Sequence, residues 1–78
     1  VQVVDVRNEG EVTDGAIDGA VNIPVAQLRA RMSELDPSKP TVVYCAGGYR
    51  SSIAASLLRE AGFTDVSDVL GGYAAIAA

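Results

Sequence analysis

Cys45 is the only cysteine among 78 residues, and its neighbours are those of a thiol that reacts. It directly follows the apolar run Thr41-Val42-Val43-Tyr44 and opens the loop Cys45-Ala46-Gly47-Gly48-Tyr49-Arg50, with a helix predicted from Ser51. A strand, a short glycine-bearing loop and a helix in that order aim several backbone N–H groups, and the positive end of the helix dipole, at one point. An anion is stabilised at such a point, and a thiolate is an anion. A lowered thiol pKa and a nucleophilic sulfur are therefore expected. A free cysteine is more commonly a small buried hydrophobe. Here the strand-end position, Arg50 and the two glycines favour the reactive reading, since Gly47 and Gly48 can take φ > 0 and turn their amides inward.

Other polar residues have roles that the pattern leaves open. Arg50 either pairs with an anionic ligand or forks onto backbone carbonyls, and a guanidinium serves both purposes. Asp5 ends an apolar strand and needs a partner there, which loop amides are expected to supply. Arg7 and Glu11 are four apart on a predicted helical turn and are expected to pair. Tyr49 either lines the pocket mouth or covers the loop, and Tyr73 is expected to pack.

The elements that position these residues alternate between strand and helix. Residues Val1 to Val6 read as a buried strand. Asn8 to Thr13 form a helical turn capped by Asn8, Gly15 to Gly19 a loop, and Ala20 to Ile23 a short strand. Pro24 opens a helix as its first residue, with Val25, Leu28, Met32 and Leu35 on one face. Asp36 to Pro40 is a turn, because each proline disfavours helix in the residue before it. The central strand is Thr41 to Tyr44. The helix from Ser51 to Ala61 carries Ile53, Ala54, Leu57, Leu58 and Ala61 at helical spacing and stops at Gly62. Asp65 to Leu70 is the last strand, followed by Gly71-Gly72 and a helix over Tyr73 to Ala78. Alternation of this kind predicts parallel pairing and an α/β layered fold. In such a sheet ligands bind beyond the carboxyl ends of the strands, where Asp5, Cys45 and Gly71 all fall.

Length and composition bound the rest. The 78 residues are read as one domain over 1–78, which on folding buries only about 60–65% of its unfolded surface. A net charge of −4 and six scattered basic residues argue against nucleic acid as a partner. No apolar run reaches membrane-span length, so no membrane partner is expected. One thiol without a bridging partner is compatible with a reducing compartment, and a cytoplasmic location is expected. The chain opens directly on a core-like strand, as a domain taken from a longer protein would.

Three ordered motifs together resemble the rhodanese-like domain family. Asp5-Val6-Arg7, Glu11 and the run Gly15 to Pro24 are similar to its first signature. The run Val43 to Ser51 resembles its active-site loop, and Asp68-Val69-Leu70-Gly71-Gly72-Tyr73 its closing glycine motif. In wording the motifs are similar to those of rhodanese domains fused to metallo-β-lactamase-type hydrolases. The resemblance implies a small three-layer domain, with a parallel sheet of about four strands flanked by helices and without the family's first strand and helix. It implies a sulfurtransferase. Cys45 would take sulfur from thiosulfate or a low-molecular-weight persulfide and pass it to cyanide or a thiol, with no metal or cofactor. The loop Ala46, Gly47, Gly48, Tyr49, Arg50 and Ser51 would bind the small anionic donor, with Asp5 and Arg7 in support.

Two rival readings follow from the same residues. Cysteine-based phosphatases and arsenate reductases place five residues between Cys and Arg, whereas four intervene here, a loop that suits a sulfur atom and crowds a phosphate. Some rhodanese-like domains serve as docking or regulatory modules of larger proteins, and those often lack the cysteine. Ala16, Asp18, Val12 and Ile76 depart from the residues usual in the family, which with the absent first elements implies lower rigidity. An uncovered edge at Val66 to Val69 implies weak self-association.

Overall fold

The computed structural model describes residues 1–76. The valine-rich opening segment forms β1, Gln2–Asp5. It pairs in parallel with the short β2, Val21–Asn22, on one side and with β3, Thr41–Tyr44, on the other. β4, Val66–Asp68, adds in parallel to β3, so the order is β2-β1-β3-β4. Parallel neighbours cannot be joined by tight turns and need crossovers. These are supplied by α1, Glu9–Val12, by α2, Leu28–Arg31, and by α3, Tyr49–Glu60, while α4, Gly72–Ile76, follows β4. The result is the four-stranded parallel α/β domain that the alternation predicts.

The two-residue period of a strand decides what each face holds. Val4 and Val43, register partners, join Val6, Cys45, Leu28, Ala54 and Leu58 in the core beneath α2 and α3. Each fully buried aliphatic side chain there is worth about 1.5–3 kcal/mol. Tyr44 points to the opposite face, where its ring stacks on Tyr73 of α4 with centroids 6.0 Å apart. Its hydroxyl accepts a hydrogen bond from the Ile17 N–H at 3.1 Å. Helices thus cover both faces. β4 is an edge, as expected. Its outward carbonyl at Val66 accepts from the Arg59 guanidinium at 2.8 Å. Among the described residues no helix is long and apolar enough to cross a membrane.

Several boundaries differ from those read in the sequence. Pro24 precedes its helix and stays extended, with ψ 144°. The reason is that the Ile23 and Val25 amides still donate to the Asp5 and Val6 carbonyls, which holds the chain against the β1 edge. The segment after it is 3₁₀ at Val25–Gln27, α over Leu28–Arg31 and 3₁₀ again at Met32–Glu34, although Leu28 and Leu35 are buried as expected. α3 begins two residues early, at Tyr49, because Gly48 at φ 102° already turns the chain. Tyr49 and Arg50 are therefore helical rather than in the loop. Ile53, placed on the apolar face by spacing, is exposed. The last two residues of the helix predicted to Ala78 lie outside the described residues. Of the four departures from the family pattern, Ala16, Asp18 and Ile76 are exposed and Val12 is half-buried.

Candidate active site

Cys45 follows the last residue of β3, so its side chain alternates to the α3 side. Its sulfur meets the start of α3. The Gly48 amide donates to Sγ at 3.0 Å and the Ser51 amide at 3.4 Å, with the Ser51 hydroxyl oxygen 3.6 Å away. The Ser51 hydroxyl donates in turn to the Gly48 carbonyl at 3.1 Å, which ties the loop to the helix. Of the two glycines expected to turn, only Gly48 has positive φ. One reversal is enough to aim the chain into α3.

The amides face the sulfur because the carbonyls are held elsewhere. The Cys45 carbonyl accepts from the Tyr73 amide at 2.6 Å and the Ala46 carbonyl from the Ala74 amide at 3.3 Å, both in the first turn of α4. This docking demands a residue without a side chain at position 72. A Cβ on Gly72 would collide with the Cys45 carbonyl and lie 2.6 Å from the Ala46 oxygen. The double glycine is thus a seat for the loop, a role the sequence motif showed only as similarity.

Electrostatics follow from this cradle. Burial opposes ionisation of the Cys45 thiol, which is 1% exposed. The Ser51 hydroxyl and the Ser51, Gly48 and Gly47 amides outweigh that effect and hold the thiol below its ordinary value. A thiol so held ionises readily and is nucleophilic.

The supporting residues follow the expectation only in part. Asp5 and Arg7 form a buried pair, with Arg7 Nη2 to Asp5 Oδ2 at 2.7 Å and Arg7 Nε to both carboxylate oxygens. Asp5 Oδ1 also accepts the Arg7 amide, so a loop amide is among its partners as expected, and the Arg7 guanidinium supplies the rest. Burial pushes the Asp5 carboxyl up, but the Arg7 hydrogen bonds prevail and hold it below the usual range. Arg7 donates to the Gly15 carbonyl and lies against the rings of Tyr73, 4.3 Å from its centroid, and Tyr44. It does not pair with Glu11. α1 starts only at Glu9, after an extended Asn8, so the four-residue helical spacing from Arg7 does not exist.

Glu11 belongs instead to Arg50. Arg50 Nη1 and Nη2 donate to Glu11 Oε1 and Oε2 at 2.6 and 2.9 Å, a bidentate pair across 39 residues. Arg50 is therefore anchored by a carboxylate, not by the carbonyls considered from sequence. Tyr49 is 78% exposed and does not cover the loop. A groove of about 310 Å³ between α2 and the end of α3, lined by Arg29, Met32, Leu57, Glu60 and Ala61, contains none of these residues. Among the described residues, no three His, Cys, Asp or Glu are grouped to hold a metal ion.

The rhodanese-like domain model matches residues 1–78. The uncharacterized protein YqhL of Bacillus subtilis is 42% identical over 72 residues, which are 92% of this chain and 57% of that protein. The thiosulfate sulfurtransferase GlpE of Shewanella oneidensis is 40% identical over 75 residues, covering 96% of this chain and 74% of that one. The structure of a NAD-dependent persulfide reductase from A. fulgidus is 38% identical with a TM-score of 0.82, and its match covers 94% of this chain and 13% of that one. Since the family model runs from the first residue to the last, and a relative of 40% identity spans most of both chains, this chain belongs to the rhodanese-like domain family.

Proposed function

We propose that this domain is a sulfurtransferase in which Cys45 carries the sulfur. One observation supports the reading above others: the Gly48 and Ser51 amides converge on Sγ at 3.0 and 3.4 Å, a cradle sized for a single anionic atom. The Cys45 thiolate attacks the outer sulfur of the donor. With thiosulfate, the new S–S bond forms as the old one breaks, and sulfite leaves with the electron pair. With a persulfide, the leaving group is the donor's thiolate, and the proton stays on the transferred sulfur. In the second step cyanide or an acceptor thiolate attacks the outer sulfur of the Cys45 persulfide and the Cys45 thiolate departs. One difficult transfer becomes two displacements. The amides from Ala46 to Ser51 receive the terminal sulfur, supplying fixed dipoles where its negative charge develops. Arg7 and Asp5 hold the strand end and α4 in place beneath the loop.

The donor is proposed to be a low-molecular-weight persulfide or thiosulfate, and the acceptor a thiol. A fused or associated domain is a proposed partner, since the matched A. fulgidus chain is far longer than this one. A lone thiol fits a reducing compartment such as the cytoplasm. The test is intact-mass spectrometry after incubation with thiosulfate and with glutathione persulfide. Wild type is expected to gain one sulfur atom on Cys45 and to lose it to cyanide, while Cys45→Ser gains none. No gain with either donor would leave the docking-module reading in its place.

A further inference from the structure

Arg50 is the only cation in the first turn of the helix that faces Cys45, and both of its terminal nitrogens are already engaged by Glu11. The carboxylate is fixed from a second side by the Asn8 amide, which donates to Oε1 at 3.1 Å. Arg50, and then the Asn8 amide, hold the Glu11 carboxyl down to about 2 despite a little burial, so the pair stays ionised at neutral pH. The other arginine near the loop, Arg7, is matched in the same way by Asp5. Arg50 immediately precedes Ser51, whose amide donates to Cys45 Sγ at 3.4 Å, so the ion pair sits beside the sulfur, within electrostatic reach.

Two donors make different demands on such a site. Thiosulfate carries its charge next to the reacting sulfur and expels sulfite, a dianion. A persulfide expels a thiolate with a single charge. The first therefore gains more from a free cation beside the loop. Building on the sulfur-transfer reading of Cys45, we infer that Glu11 is a specificity-determining residue: by occupying Arg50 it removes the loop's attraction for compact dianionic donors and leaves the amide cradle to persulfides.

Two measurements test this. The first is the ratio of Cys45 alkylation rates by iodoacetate, an anion, and iodoacetamide, its neutral counterpart, which requires no sulfur transfer. The second is the ratio of kcat/KM for thiosulfate to that for the persulfide of 2-mercaptoethanol. Glu11→Gln keeps the shape and one acceptor while releasing the charge of Arg50. Both ratios are expected to rise about 10-fold, the scale of one charge-assisted contact, and the gain is expected to shrink in high salt. Arg50→Gln leaves Glu11 unmatched and is expected to lower both ratios. The double variant restores neutrality and is expected to return near the wild-type ratios, since the two sites act as one coupled pair. If Glu11→Gln changed both reagents and both donors in parallel, Glu11 would be only a brace between α1 and α3, and the inference would fall. It would fall equally if the double variant kept the gain. If the alkylation ratio rose while neither donor passed sulfur to Cys45, the electrostatic role of Glu11 would stand and the sulfurtransferase reading would not.

Discussion

The backbone amide of Tyr73 donates to the carbonyl oxygen of Cys45 at 2.6 Å. This single bond explains much of the site. It turns the carbonyl at the end of β3 toward α4, which leaves the following amides to face the sulfur. The start of α4 thereby shapes a loop nearly thirty residues earlier in the chain, and Gly72 is what lets the two backbones meet.

Gly72→Ala is therefore expected to damage the site without touching the thiol. Gly72 has φ 61°, a conformation that costs a non-glycine residue about 1–3 kcal/mol. The added Cβ also meets backbone, which cannot rotate away. Denaturant unfolding is expected to show at least that loss, and alkylation of Cys45 at neutral pH is expected to slow as the amides leave the sulfur. A variant with wild-type stability and wild-type alkylation would contradict the seat assigned to Gly72.

The Cys45 thiol is expected to titrate below the ordinary cysteine value, because the Ser51 hydroxyl and the Ser51, Gly48 and Gly47 amides outweigh its burial. The rate of iodoacetamide alkylation against pH measures this. Ser51→Ala removes the hydroxyl and is expected to move the midpoint upward while leaving the three amides in place. A wild-type midpoint at or above that of a free thiol would remove the basis for a reactive cysteine.

The acid side of the stability profile follows from Asp5 and Glu11. Both carboxyls have lower pKa values folded than unfolded, so their stabilisation is complete above about pH 4.5. It is lost as pH falls from there toward the folded values, about 2 for Glu11. Arg7→Met strands the buried Asp5 carboxylate, and removing one partner of a buried pair costs about 3–5 kcal/mol. Its carboxyl then titrates above the unfolded value, so this variant is expected to lose more stability at pH 7 than at pH 4. Urea unfolding at the two pH values decides. Equal losses would mean that Asp5 finds another partner.

β4 is the exposed edge beside β3, and the Arg59 guanidinium satisfies only its Val66 carbonyl. Edges with free backbone groups recruit other strands. Weak, concentration-dependent association is expected in sedimentation velocity, and Ser67→Lys, an exposed position on that strand, is expected to reduce it. A strictly monomeric protein at high concentration would show that the edge is protected.

The strand–loop–helix order around Cys45 and the stop at Gly62 were legible in the chain because each depends on neighbours within a few residues, and the parallel pairing because strands that alternate with helices are joined by crossovers. β-Branched runs favour extended backbone, apolar periodicity marks a buried helix face, and a glycine tolerates the φ of 99° that ends α3. The ion pairs were not legible in that way. Spacing predicted Arg7 with Glu11, yet the helix begins too late for the rule to apply, and Glu11 reaches Arg50 instead, 39 residues on. Nor did the residue types say which glycine would turn, or that Gly72 would press against the loop. Such partnerships depend on which strand ends the sheet register places side by side. Charge and hydrogen-bond geometry choose among neighbours, but the packing of β1, β3 and β4 determines who the neighbours are.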